Sequence, residues 1–298
     1  MDLRQIEYFV RVAEVGSFSG AARLVGVAQP ALSRQIRQLE VELRQTLFIR
    51  DGRGAKPTEA GELLLEHGRA ILHQLARARE ELAGARGRLA GHVAIGLPPS
   101  VARVVAVPLT RAFREHLPEA TLSIGEGLSS ALLDGLRQGR HELVVLYDAL
   151  PAPDLETESL LDEELWLVEP RKGSRHRAAC PLPVLATLPL VIPSRPNAVR
   201  LRVERALAGL GAKPTIALEI DGVGAILDLV AEGFGHAVLP RYAVAGLAQP
   251  RRLALRRFSP PLSHRIVLAT SALRPLTRTQ RETKALLAEL IRRELVPR

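Results

Sequence analysis

Ser17-Phe18-Ser19-Gly20-Ala21-Ala22-Arg23-Leu24-Val25-Gly26-Val27-Ala28-Gln29-Pro30-Ala31-Leu32-Ser33-Arg34-Gln35-Ile36-Arg37-Gln38-Leu39-Glu40 decides how the first part of this 298-residue chain folds. Ser19 can cap a short helix carrying Ala21, Ala22, Leu24 and Val25, and Gly26 suits the left-handed residue that ends one. Val27 and Ala28 make a brief turn. Pro30 then stands where proline is best tolerated, in the first turn of a second helix. The spacing predicts that this helix buries Ala31, Leu32, Ile36, Leu39 and Leu43 and shows Gln29, Ser33, Arg34, Arg37 and Gln38 on its other face. Two short helices around a tight turn, the second presenting polar and Arg side chains, describe a helix-turn-helix with its recognition helix.

The chemistry of that face suits DNA. Arg and Gln make bidentate bonds to guanine and adenine edges in the major groove, and Ser33 with the helix-start amides can hold phosphate oxygens. Phe48-Ile49-Arg50 and Ala55-Lys56-Pro57 read as two short strands around Asp51-Gly52-Arg53-Gly54, a small wing with Arg50, Arg53 and Lys56 directed at phosphates or the minor groove. The expected DNA-binding residues are therefore Gln29, Pro30, Ser33, Arg34, Arg37, Arg50, Arg53 and Lys56. Residues 20–58 hold seven Lys/Arg against three Asp/Glu, a net of +4. The alternative is an ordinary helical hairpin with solvated arginines.

Thr58 starts the next element as a hydroxyl cap, with Glu59 and Glu62 in its first turn, and the helix is expected to run to about Leu89. Leu64, Ile71, Ala78 and Ala85 fall seven apart, as do Gly68, Leu75, Leu82 and Leu89, which predicts a dimerising seam of small and large residues. A helix packed on its own domain is the alternative. Gly84, Gly87 and Gly91 weaken the end of this helix and point to a hinge.

The chain's net charge of +9 permits nucleic-acid binding without proving it, because residues 1–90 carry fourteen basic and eleven acidic residues, only +3. The single cysteine, Cys180, excludes an intramolecular disulfide framework, suits a reducing cytoplasm and reads as a buried small residue. No stretch approaches 18 uninterrupted apolar residues, and no basic segment followed by an apolar run opens the chain, so a cytoplasmic protein without a membrane span is expected. Catalytic signatures are lacking. Gly16–Gly20 has Phe18 where a nucleophile elbow needs serine, Gly222-Val223-Gly224 lacks the third glycine of a dinucleotide fingerprint, and the eight histidines show no metal-ligand spacing. No enzyme activity, metal or cofactor is expected.

From His92 onward short strands alternate with helices: strands at 92–97, 121–125, 142–147, 165–168, 190–192, 215–220, 236–239 and 265–268, and helices after Pro99, Ser129, Ala198, Gly222 and Thr277. That order predicts mostly parallel sheets covered by helices. Asp162-Glu163-Glu164 reads as a solvated loop. Arg241, Arg251, Arg252, Arg256, Arg257 and Arg265, with no acidic residue from 241 to 265, read as an interface, a DNA-facing patch or a solvated surface.

Phe9, Ala13, Gly16-Ser17-Phe18, Ala21-Ala22, Gln29-Pro30-Ala31-Leu32-Ser33, Ile36, Leu39-Glu40, Leu43, Leu47-Phe48, Arg50 and Thr58-Glu59-Ala60-Gly61 together resemble the N-terminal signature of LysR-type transcriptional regulators. The match is dense over the first 60-odd residues; beyond them it is one of layout and length. Leu146-Tyr147-Asp148 and Ala198-Val199-Arg200-Leu201-Arg202 also resemble the nitrogen assimilation control subgroup, whose members can regulate without a small-molecule effector. The resemblance implies a winged helix-turn-helix domain (1–58), a linker helix (59–90) and a two-lobed α/β effector domain similar to periplasmic binding proteins, with lobe I at 91–161 plus 267–298 and lobe II at 162–266. It implies binding to promoter DNA as a dimer of dimers, with RNA polymerase as a further partner.

Ligands of open α/β sheets bind beyond the carboxyl ends of strands, near helix N-termini. Applied to this chain, that rule selects Ser100, Val101, Ser129, Ser130, Tyr147, Asn197, Arg200 and Val223 as effector-binding residues, with a small organic acid as the expected ligand. The competing readings are an effector-independent regulator, a small-molecule binding protein and an α/β enzyme.

Overall fold

Helix α1 (Leu3–Val15) starts on Asp2, whose side chain accepts a hydrogen bond from the Gln5 N–H at 2.8 Å, and ends on Gly16 at φ 68°. Helix α2 (Phe18–Val25) is capped by Ser17 rather than by Ser19: the Ser17 hydroxyl accepts from the Gly20 N–H at 3.2 Å, two residues earlier than the sequence predicts. Gly26, at φ 71°, ends it in the left-handed conformation expected there. Helix α3 (Gln29–Leu43) buries Leu32, Ile36 and Leu39 against Phe9, Val12, Ala21 and Ala22; Ala31, expected in that core, is exposed. Strands β1 (Phe48–Arg50) and β2 (Ala55–Pro57) pair antiparallel and place Phe48 and Ala55 inward.

The computed structural model describes residues 1–50, 54–84, 89–171, 179–245 and 252–295, with residues 50, 80, 81, 83, 84 and 245 described in backbone only. Its two units are Met1–Arg88 and Leu89–Arg298.

Helix α4 (Glu59–Gly84) closes the first unit. The Thr58 hydroxyl accepts from the Gly61 N–H at 3.0 Å and donates to the Thr46 carbonyl at 2.7 Å, which fixes both the helix start and its direction. Its first turns pack on the DNA-binding fold itself through Leu65 and Leu72. Gly68, expected in an intermolecular seam, is buried on α1 instead: a Cβ there would meet Val10 Cγ2 at 2.9 Å. The opposite side of α4 leaves Leu63, Ile71, Ala78 and Leu82 exposed along one stripe, Leu82 by 73%. Gly87 and Ala85 lie outside the described residues.

The second unit is two α/β/α sandwiches sharing two strands. In the first, β3 (Ala90–Leu97), β4 (Glu119–Glu126) and β5 (Leu143–Tyr147) run parallel. Helices α5 (Pro99–His116) and α10 (Arg278–Leu295) bury Val105, Leu109, Leu287 and Ile291 on one face, while α6 (Ser129–Arg137) buries Leu132 and Leu136 on the other. In the second, β8 (Leu190–Ile192) and β9 (Ile216–Glu219) pair parallel, and β10 (Ala237–Pro240) lies beside β6 (Leu155–Pro170). Here α7 (Ala198–Ala208) packs Val203 and Leu207 with Cys180, which is fully buried in the short strand β7 (Cys180–Pro181), and α8 (Val223–Glu232) packs Ile226 and Val230 on the other face.

Strands β6 and β11 (Leu253–Ser271) join the sandwiches, pairing antiparallel from Leu253↔Pro170 to Ser271↔Leu155. The sequence predicts short strands at 165–168 and 265–268; each is the end or middle of a strand of 16 and 19 residues. Two local features hide them. Pro260 and Pro261 interrupt the second, and they sit at a register shift between Arg257 and Leu262, where a strand tolerates proline. The first begins on the polar run Glu156-Thr157-Glu158, largely exposed. The sheet is mixed as a consequence, ordered β10-β6-β11-β5-β3-β4, not mostly parallel.

The charge runs are corrected by the same strands. Asp162-Glu163-Glu164 is mid-strand in β6, with Glu163 buried and its two neighbours turned outward. The arginines opposite are paired: Arg265 with Asp162 at 3.1 Å, Arg257 with Glu164, and Arg252 with Glu232 at 2.7 Å. Arg252, Arg257 and Arg265 are thus surface arginines paired with acids, in keeping with the solvated surface among the alternatives; Arg251 lies outside the described residues.

Candidate nucleic-acid interface and inter-lobe cleft

The outward face of α3 follows from what its inward face buries. With Leu32, Ile36 and Leu39 fully buried, the helical period turns Gln29, Pro30, Arg34, Arg37 and Gln38 to solvent. Gln29 Nε2 donates to the Ser33 hydroxyl at 2.9 Å, which aligns both side chains along the helix. Ala28 precedes the helix with no side-chain cap. Arg34 and Arg37 make no ion pair among the described residues, so their guanidinium donors are uncommitted. In the wing, Lys56 is exposed opposite Ile49, and the Ala55 N–H donates to the Gly16 carbonyl at 2.8 Å, tying β2 to the end of α1. Arg53 and the side chain of Arg50 lie outside the described residues.

The strand-end residues of the second unit fall into three groups. Ser100, Ser129 and Tyr147 come together. The Ser100 and Tyr147 hydroxyls share a hydrogen bond of 2.7 Å, and the Tyr147 N–H donates to the Ser129 hydroxyl at 3.1 Å. Val101, in the first turn of α5, is fully buried in the core, so it offers a cleft only its backbone; Ser130 is exposed. Asn197 is a helix cap, accepting from the Val199 N–H at 2.9 Å, and Val223 begins α8, half-buried. Arg200 is not available to an anion. It is buried and bonded to Glu204, and it pairs with Glu219 at 3.1 Å. Burial opposes its charge, but the two carboxylates outweigh burial and raise its pKa. Arg202 Nε is likewise committed, donating to the Ser263 carbonyl at 2.6 Å.

Three residues the sequence reading passed over complete this centre. The Tyr147 ring stacks on His264 with centroids 4.1 Å apart. His264 Nε2 bonds the Glu163 carboxylate, both side chains being buried. Tyr242, in α9 (Arg241–Ala245), brings its hydroxyl to 3.4 Å from that of Tyr147. Desolvation, with the nearby Glu163 charge second, pushes the Tyr147 phenol far up, so it is protonated at neutral pH. The period-2 alternation of a strand would have turned Glu163 inward between two outward acids, had residues 162–164 been read as strand rather than loop.

Residues 3–62 match the family described as bacterial regulatory helix-turn-helix protein, lysR family, and residues 86–292 match the LysR substrate binding domain. The chain belongs to the LysR family. Over 300 residues it is 35% identical to the nitrogen assimilation regulatory protein nac of Klebsiella aerogenes, covering 98% of this chain and 96% of that one. Full-length OxyR from Pseudomonas aeruginosa, solved as a cysteine variant, superposes with a TM-score of 0.79 at 25% identity, covering 98% and 95% of the two chains. Full-length CbnR complexed with its target DNA superposes with a TM-score of 0.67 at 26% identity, covering 99% and 100%.

This LysR regulator is thus a DNA-binding transcription factor rather than an enzyme. Its helix-turn-helix was visible in the sequence; the buried Glu163–His264–Tyr147–Tyr242 centre was not. Among the described residues no helix is long and apolar enough to cross a membrane.

Proposed function

We propose that the protein binds promoter DNA by laying α3 in the major groove, with Gln29, Ser33, Arg34 and Arg37 at base edges and Pro30 fixing the first turn. Lys56, with Arg50 and Arg53, grips phosphate or minor groove from the wing. The exposed, uncommitted face of α3 opposite a fully buried one carries this reading. It acts in the cytoplasm as an activator that contacts RNA polymerase. Two copies join through the exposed Leu63, Ile71, Ala78 and Leu82 stripe of α4, and two such dimers associate. Residues 1–58, 59–90, 91–161 plus 267–298, and 162–266 are the functional divisions. The testing experiment is a footprint on the gene's own upstream DNA: two protected half-sites about one or more helical turns apart are expected, and no protection at any salt concentration refutes it.

The cleft takes a small organic acid at the starts of α5 and α6, where Ser100, Ser129 and helix amides face an anion. A second reading, regulation without an effector, is favoured by one observation: Ser100, Ser129, Tyr147 and Arg200 all have intramolecular partners already. Calorimetry with a panel of small carboxylates separates the two. Saturable heat that Ser100→Ala and Ser129→Ala abolish supports the acid; silence across the panel with intact promoter activation supports the effector-free regulator.

A further inference from the structure

Tyr242 belongs to two cores at once. It follows β10 in the second sandwich, and its neighbours Ala243 and Val244 are buried among Ile226, Val230 and Leu239 there. Its own ring packs instead against the core of the first sandwich, the cluster holding Val101, Leu143 and Ile266. The side chain therefore reaches from the second sandwich to the first. On the far side it meets a prepared partner, the Tyr147 hydroxyl at 3.4 Å, which in turn bonds the Ser100 hydroxyl at 2.7 Å.

Tyr147 is held from three directions. Ser129 accepts its N–H, His264 stacks on its ring, and the following Asp148, at φ 49°, accepts the Arg265 N–H at 2.8 Å. Glu163 and His264 sit on β6 and β11, the two strands common to both sandwiches, and fix the stacking partner in place. Desolvation raises the Tyr242 phenol well above its ordinary value, as it does Tyr147, so both hydroxyls remain protonated and can donate.

We propose that Ser100, Tyr147 and Tyr242 form a latch that ties the two lobes of the effector domain together across the cleft, with α9 as its strap. The two lobes share β6 and β11; the latch adds a side-chain tie between them beside those strands, where Tyr147 pairs with Ile266 and stacks on His264. Separation of the lobes requires withdrawing the Tyr242 ring from the first core and breaking the hydroxyl chain. The latch thus sets the equilibrium on which any occupant of the cleft acts, and it operates equally where no ligand exists.

The test is amide hydrogen exchange on the full-length protein, read by peptides covering 99–105 in one lobe and 237–245 in the other. Tyr242→Phe keeps the ring and removes the hydroxyl; exchange should rise about threefold to tenfold in both segments, the size of one hydrogen bond. Tyr242→Ala should raise it further in both. Ser100→Ala combined with Tyr242→Phe should give less than the product of the single effects, and in a Tyr147→Phe background Ser100→Ala should add nothing and Tyr242→Phe less than it does alone, since its hydroxyl also meets the Glu163 carboxylate. An increase confined to 237–245, or multiplicative effects of Ser100→Ala and Tyr242→Phe, overturns the latch. Tyr242→Phe serves if Tyr242→Ala fails to fold. Failure of the parent protein to protect promoter DNA would refute the regulator reading and leave this result standing.

Discussion

Arg34→Ala separates base reading from phosphate gripping. The guanidinium is exposed on α3 and has no ion pair among the described residues, so its removal breaks nothing inside the fold. Alanine is also the better helix former. Unfolding free energy should change by less than about 0.5 kcal/mol, as for surface substitutions generally. A bidentate contact to guanine contributes about 1–3 kcal/mol of discrimination. Each factor of ten corresponds to about 1.4 kcal/mol, so affinity should fall roughly 5-fold to 150-fold for each half-site of the specific site, while affinity for scrambled DNA falls much less. Lys56→Ala should behave differently. A phosphate contact contributes about 0.9 to the slope of log K against log salt, so a dimer losing two should lose about 1.8 in slope and bind all sequences more weakly. The assay is fluorescence anisotropy with operator and scrambled duplexes across a salt series. If Arg34→Ala keeps its preference for the operator while remaining folded, α3 does not read bases through this residue and the interface has been placed wrongly.

Ile71→Asp with Leu82→Asp puts like charges on the exposed stripe of α4, and light scattering should then show a smaller particle with weakened operator binding; an unchanged mass removes α4 from the interface. Arg200→Met tests the ion network of α7. Burial pushes the Glu204 carboxyl up, but its bonds to Arg200 and Arg195 outweigh that and hold it below its ordinary value of 4.5. A depressed carboxyl stabilises the fold above its unfolded pKa and loses that contribution as pH falls through the folded one. Parent and variant should therefore differ in urea melts above about pH 5 and converge in stronger acid; a constant gap would refute the linkage. Glu163→Leu or His264→Leu alone leaves a buried polar partner unpaired and should cost about 3–5 kcal/mol. The double substitution should cost clearly less than the sum, and additive losses would show that the pair is not coupled.

The helix-turn-helix was legible because its local signals agree with its packing. Gly26 and Pro30 punctuate the chain where the backbone needs them, and Leu32, Ile36 and Leu39 keep the 3.6 period into one core. Ser17 displaced Ser19 as cap because both hydroxyls stand at acceptable positions and only the backbone path chooses between them. Ala31 fitted the apolar spacing but sits at the edge of the stripe, where a small side chain gains little from burial. The dimer seam was read from heptads, yet Gly68 answers to an intramolecular need, the close approach of α1. In the cleft, residues at strand ends were found by a topological rule. That rule sees only the ends of strands and misses side chains reaching in from strand middles, as Glu163 and His264 do, or from the short helix that carries Tyr242.

Those strand-middle residues also explain how two strands rich in charge find their register. Cross-strand pairing sets Asp162 opposite Arg265, Glu163 opposite His264 and Glu164 opposite Ser263. Alternation then sends Glu163 and His264 to the interior together, where His264 Nε2 and the Glu163 carboxylate bond each other, and sends Asp162 and Arg265 out together. A slip of one residue in either strand would bury an unpaired Arg265 or Asp162 and expose one member of the inner pair. Burying a charge without its partner costs several kcal/mol, far more than an exposed ion pair contributes. The polar residues that make β6 and β11 look unlike strands are therefore what hold them in one alignment. That alignment places His264 beneath Tyr147, where the two lobes meet.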